Sequence, residues 1–173
     1  MVKRLDRDFF TRDVLHVAPD LVGKKLVRKS DDESIQGYMI TEVEAYRGTE
    51  DLACHASKGR TPRTDVMFQH GGLVYVYFIY GMYWMLNVVT GESNNPQAVL
   101  IRGLGGCYGP GRITKQLSID KSFYGEDLTS SNRLWIENSE FSGLVKTAPR
   151  IGVNYAGEIW SKMPWRFFTD DEK

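Results

Sequence analysis

The chain has 173 residues, enough for one domain with a sizeable core, since about 150 residues already bury roughly 70% of their unfolded surface. Its 42% hydrophobic and 25% charged content is that of a globular protein, and with neither an 18-residue apolar run nor an apolar stretch behind MVKRLDRDFF, a cytoplasmic protein without membrane contact is expected. The 22 Lys and Arg balance 22 Asp and Glu, which by itself argues against a nucleic-acid partner.

In chain order, Thr11 can cap a short amphipathic helix carrying Val14, Leu15, Val17 and Leu21, interrupted by Pro19 and ended by Gly23. Lys25 to Arg28 and Gln36 to Tyr46 read as strands joined across the polar turn SDDES. From Gly48 to Pro62 the alternation stops, giving a loop with a helical turn around Asp51 to His55. Strands follow at Leu73 to Tyr80, Tyr83 to Val89 and Ala98 to Gly103, the first two forming a hairpin around Gly81 and the last two joined by GESNNP. Gly109-Pro110-Gly111 opens a helix through Gln116, and short strands fall at Leu134 to Glu137 and Val145 to Thr147. The tail, with Trp160, Trp165, Phe167 and Phe168, is too aromatic for a disordered linker. Antiparallel hairpins with helices between them make an α+β pattern in a single domain, residues 1–173. Cys54 and Cys107 form no CxxC pair, so neither a disulfide framework nor a thiolate zinc motif is present.

Two stretches carry chemistry. In TEVEAYRGTEDLACH (Thr41 to His55) strand alternation puts Glu42, Glu44 and Tyr46 on one face and Val43 and Ala45 on the other, so an acid and a ring share a face. In YVYFIYGMYWMLN (Tyr75 to Asn87) Tyr75, Tyr77 and Ile79 oppose Val76, Phe78 and Tyr80. A carboxylate beside several tyrosines suits a pocket that stacks a flat ring and activates a water. Cross-strand packing explains the tyrosines equally well. The charge is also uneven: residues 55–121 hold 7 Lys and Arg against 3 Asp and Glu, while residues 1–54 hold 9 against 11 and residues 122–173 hold 6 against 8. Lys58, Arg60, Arg63, Arg112 and Lys115 are candidate phosphate contacts, most of them beside Gly or Pro.

These segments resemble the alkyladenine-type 3-methyladenine DNA glycosylase family. The resemblance rests on Glu44-Ala45-Tyr46, a histidine eleven residues after the glutamate, Tyr75-Val76-Tyr77-x-x-Tyr80-Gly81-Met82, Asn87, the GPGRITKQL segment and the PRIGV segment. It implies a single mixed domain around a curved antiparallel β-sheet with surrounding helices and a protruding hairpin. It further implies an enzyme that turns damaged purines out of double-stranded DNA and hydrolyses the glycosidic bond. Glu44, immediately before Ala-Tyr, is the implied water-activating acid, with Arg102 holding it ionised; a structural ion pair of Arg102 with Glu42 or Glu44 is the competing reading. Tyr46, His55 and Tyr77 match the base-stacking residues, Asn87 the residue that rejects normal guanine, and Tyr80 the intercalating tyrosine. A backbone carbonyl near Ile151 is implied to hold the water. Met85 departs from the smaller residue common in relatives, and Arg112 replaces a lysine. No lysine lies in either stretch to form a Schiff base, so a monofunctional, cofactor-free and metal-free monomer is expected.

Overall fold

The computed structural model describes residues 3–170. Two helices come first, α1 (Arg7–Phe10) and α2 (Val14–Leu21). The cap of α2 is Asp13, whose carboxylate accepts from the Leu15 amide at 2.9 Å; Thr11, expected in that role, closes α1 instead, its amide bonding the Arg7 carbonyl. Pro19 lies inside α2 without interrupting it, because the last turn of so short a helix has little backbone bonding to lose.

The strands are β1 (Lys25–Lys29), β2 (Ile35–Arg47), β3 (Val74–Ile79), β4 (Tyr83–Thr90), β5 (Gln97–Leu104), β6 (Cys107–Tyr108), β7 (Leu134–Glu137), β8 (Lys146–Ala148) and β9 (Arg166–Phe168). They form one antiparallel sheet whose main path is β3-β4-β5-β2-β1-β7, with β6 on β5 and β9 pairing both β2 and β8. Helix α3 (Pro110–Gln116) starts at the proline of Gly-Pro-Gly as expected, and α4 (Gly157–Lys162) lies in the aromatic tail. The helical turn expected around Asp51 to His55 lies a few residues later, at His55–Lys58. The α+β class with a large antiparallel sheet is therefore the observed architecture.

The sheet separates two environments. Val43, Ala45, Val74, Val76, Leu86, Val88, Val99 and Ile101 point into the main core with α2 and α3 residues Val17, Leu21 and Ile113. On the opposite face Tyr75, Val89 and Ala98 pack with Tyr46 and Tyr77 against Cys54, Ala56, Val66 and Met67 from the long loop. Period-two alternation dictates this division, since a slip of one residue would send the aliphatic set to the pocket side. The register of β2 against β5 shifts at Glu42, a bulge beside the most densely charged part of the sheet.

β3 and β4 make the protruding hairpin. Its tip holds Tyr80 (φ 55°) and Gly81 (φ 62°), closed by the Met82 amide donating to the Ile79 carbonyl at 3.1 Å. Two successive residues with positive φ are what a primed type I turn requires, and for Tyr80 that conformation is costly without a Gly or Asn side chain.

Candidate active site

Register alone aligns a row of residues across the pocket face. Tyr75 on β3 pairs with Asn87 on β4, Asn87 with Leu100 on β5, Leu100 with Glu44 on β2, and Glu44 with Arg166 on β9. Opposed residues share a face, so Asn87 and Glu44 stand two strands apart, about 10 Å, on one surface. The neighbouring row places Tyr46 beside Ala98 and Val89.

Glu44 has no solvent-exposed side-chain area. One carboxylate oxygen accepts from the Tyr46 hydroxyl at 3.1 Å and lies 3.5 Å from Arg102 Nη1; the other accepts from the Ile151 backbone amide at 2.6 Å. Burial pushes its pKa up and outweighs the lowering by Arg102, by the Ile151 amide and by Tyr46. Arg102 is therefore present beside the carboxylate, as the sequence suggested, but it is not strong enough to hold the pKa at or below its ordinary value. It is also shared: its Nε lies 3.5 Å from Glu42. Glu42 is further engaged by Arg166 at 3.2 Å. Ile151 meets Glu44 through its N–H, whereas the sequence reading placed a carbonyl of this segment near a water.

A small aromatic cavity open to solvent lies beside Tyr46. Tyr46, His55, Tyr77 and Asn87 all line it, joined by Tyr75, Met67 and Tyr155, none of which the sequence had singled out as site residues. His55 Nδ1 hydrogen-bonds the Tyr75 hydroxyl at 2.9 Å, and its ring meets the edge of Tyr77 at 4.5 Å between centroids. Burial, then Arg63 and Lys58, lower the His55 pKa to about 4, so the imidazole is neutral at pH 7. The Asn87 amide donates to the Tyr75 and Met85 carbonyls at 3.2 and 3.4 Å, fixing the side chain in the cavity floor. Met85 is buried opposite Tyr77 and is not among the residues lining the cavity.

Behind Tyr46 lies an ion pair that sequence reasoning missed. Asp51 and Arg150 are both fully buried and joined twice, at 2.6 and 2.9 Å. The Arg150 guanidinium also donates to the Ala45 and Trp160 carbonyls and lies over the rings of Tyr46 (4.8 Å) and Trp165 (5.1 Å). The residue after Arg150 is the one whose amide holds Glu44, so the pair fixes both the cavity wall and the donor behind the acid. An arginine next to Ile151 and an aspartate inside the long loop were the only signals available in the sequence.

The hairpin tip is exposed, Tyr80 at 82% and Met82 at 65%. Lys58 and Arg63 border the groove on one side of it, together with Ile79 and Tyr155. Lys115 borders the groove on the other side, between α3 and Tyr83. Arg112 is exposed on α3, while Arg60 is engaged by Asp65 at 2.7 Å. Among the described residues no group of three His, Cys, Asp or Glu could hold a metal, and no helix is long and apolar enough to cross a membrane.

An antiparallel sheet thus carries a buried acid, an aromatic cavity and an exposed hairpin flanked by grooves that hold lysine and arginine. The sequence matches the family described as Methylpurine-DNA glycosylase (MPG) over residues 8–108 and 104–173, and the chain belongs to that family. Among its relatives, a protein of Desulfitobacterium hafniense (strain Y51) is 42% identical, the alignment covering 99% of this chain and 98% of the relative. One from Borreliella burgdorferi (strain ZS7) is 43% identical over 98% and 97% of the two chains, and one from Legionella pneumophila (strain Corby) is 44% identical over 98% and 96%. All three bear the name "Putative 3-methyladenine DNA glycosylase".

Proposed function

We propose that this chain is a monofunctional DNA glycosylase. It turns alkylated or deaminated purines such as 3-methyladenine, 7-methylguanine and hypoxanthine out of duplex DNA, hydrolyses the N-glycosidic bond with water, and leaves an abasic site. The observation that carries the reading is a fully enclosed carboxylate, Glu44, held by three donors on the same sheet face as an aromatic cavity. Family membership and the names of the relatives support the same activity.

A purine stacked and paired in the duplex cannot enter a pocket that encloses its rings and brings a water to C1′, so the nucleotide must leave the helix. Tyr80 fills the gap it leaves: the turn aims the side chain away from the protein, and cations on both flanks meet the phosphates. The extruded purine stacks among Tyr46, Tyr77 and the neutral His55. Asn87, anchored by its N–H groups to two carbonyls, cannot move aside and clashes with the 2-amino group of a normal guanine.

Glu44 takes a proton from water as the oxygen attacks C1′, and its negative charge faces the cationic sugar that develops as the C1′–N bond breaks. A pKa raised by burial makes it a better base than an exposed glutamate. Arg102 donates to the same carboxylate from 3.5 Å and favours its ionised form. The test is single-turnover base release from methylated duplex DNA and from duplex containing hypoxanthine. Release of free base with abasic sites left behind is expected. Tight binding to damaged duplex with no release from either DNA would replace the enzyme with a damage-binding module.

A further inference from the structure

Arg63 is one of the candidate phosphate contacts, and its side chain also lies against the stacking residues. Its guanidinium carbon stands 5.0 Å above the centre of the Tyr77 ring, and with Lys58 it borders the adjoining groove, which shares His55 and Tyr155 with the cavity. Tyr77 meets both His55 and Tyr75, so the cation sits against a cluster of three cavity rings, two of them assigned to base stacking. Its field reaches them: Arg63 contributes to the lowered pKa of His55. It also works against the burial that pushes the Tyr75 hydroxyl up to about 12. None of the ion pairs found among the described residues pairs Arg63 with a carboxylate. By contrast Arg60 is held by Asp65 and Arg150 by Asp51, so neither presents an uncompensated charge to the cavity.

We propose that Arg63 is a specificity-determining cation of the base pocket, favouring release of uncharged purine lesions over cationic alkylated ones. The inference rests on the glycosylase reading above and names the substrate class that site prefers.

The two kinds of lesion leave with different charge. When the C1′–N bond of a neutral purine breaks, the bonding electron pair goes to the base, which becomes an anion until solvent protonates it. When the base is already a cation, as in 7-methylguanine or 3-methyladenine, the same electron pair neutralises it. In both, the water oxygen bonds C1′ and its proton passes to Glu44. A guanidinium beside the base stabilises the departing anion and repels the bound cation. It also occupies a face of Tyr77 that a cationic base would otherwise use for cation–π attraction. Opposing it, Glu44 attracts cationic bases from β2, Arg102 faces Glu44 from β5, and Lys58 adds a second positive charge at the mouth. Arg150 lies as near to Tyr46 but is neutralised by Asp51, which leaves Arg63 over Tyr77 as the cation that sets the balance at the stacking rings.

The test compares single-turnover release of hypoxanthine and of 7-methylguanine by wild type, Arg63→Gln and Arg63→Lys at one salt concentration. Arg63 is exposed on a loop, so both variants are expected to fold. Arg63→Gln lowers the hypoxanthine-to-7-methylguanine rate ratio on the order of fivefold, the factor given by about 1 kcal/mol between charges at this range, and Arg63→Lys keeps most of the wild-type ratio. An equal fall for both lesions in Arg63→Gln, with a shallower salt dependence of binding, makes Arg63 a phosphate contact and overturns the proposal. An absence of release of either base by wild type would instead refute the glycosylase reading.

Discussion

Replacing Asp51 with asparagine removes one charge from a pair that solvent does not reach. The Asp51 carboxylate accepts four hydrogen bonds: from Arg150 at 2.6 and 2.9 Å, from the Arg47 amide at 3.0 Å and from the Ala53 amide at 3.0 Å. Asparagine keeps the shape but turns one acceptor into a donor that faces another donor, and it leaves the Arg150 guanidinium charged and buried. Breaking such a pair from one side costs about 3–5 kcal/mol, a large share of the roughly 5–15 kcal/mol that holds a domain together. Equilibrium urea unfolding should show Asp51→Asn destabilised by about 3 kcal/mol or more. Because the pair also sets the segment whose Ile151 amide bonds Glu44, base release by the folded variant should fall as well. A loss below about 1 kcal/mol would mean the charge is compensated by water or by the carbonyls of Ala45 and Trp160, and would refute the clamp.

Tyr80→Ala should leave stability within about 0.5 kcal/mol, since the side chain is 82% exposed, while lowering release from duplex roughly tenfold through loss of the gap-filling ring; equal rates for variant and wild type would remove Tyr80 from the extrusion step. The His55 ring should titrate near pH 4 by NMR, not near its ordinary 6.5. A folded-state pKa below the unfolded one means that the unfolded chain takes up the proton first. This contribution to stability is therefore present above pH 6.5 and lost as pH falls toward 4.

Much of the fold was legible because alternation fixes which face is buried. The strands β1 to β5 and β7 fall within a residue or so of their sequence positions, and α3 begins at the expected proline. Helix α1, β6 and β9 were missed because four, two and three residues carry too little periodicity to stand out; β9 is defined by pairing with β2 and β8, a long-range fact. The bulge at Glu42 was invisible for the same reason. In the site, period-two spacing put Glu44 with Tyr46 on one strand face and Tyr75 with Tyr77 on another, while their meeting on one surface with Asn87 follows from the strand order β3-β4-β5-β2. The Arg150–Asp51 pair, the Tyr155 wall and the position of Arg63 over Tyr77 depend on how loops fold over the sheet, and no local pattern encodes that. The effect of burial on Glu44 was likewise out of reach, because spacing shows a cation beside an acid but not how little water surrounds them.

In the proposed reaction Glu44 activates the water. The most direct measurement is single-turnover release of hypoxanthine from duplex DNA by wild type and Glu44→Gln, with binding to the same duplex measured in parallel. Release by wild type and a loss on the order of a hundredfold or more in the variant are expected, with binding retained, since glutamine keeps the shape but cannot take the proton. Release by Glu44→Gln at the wild-type rate would contradict that role and move the catalytic base elsewhere in the pocket.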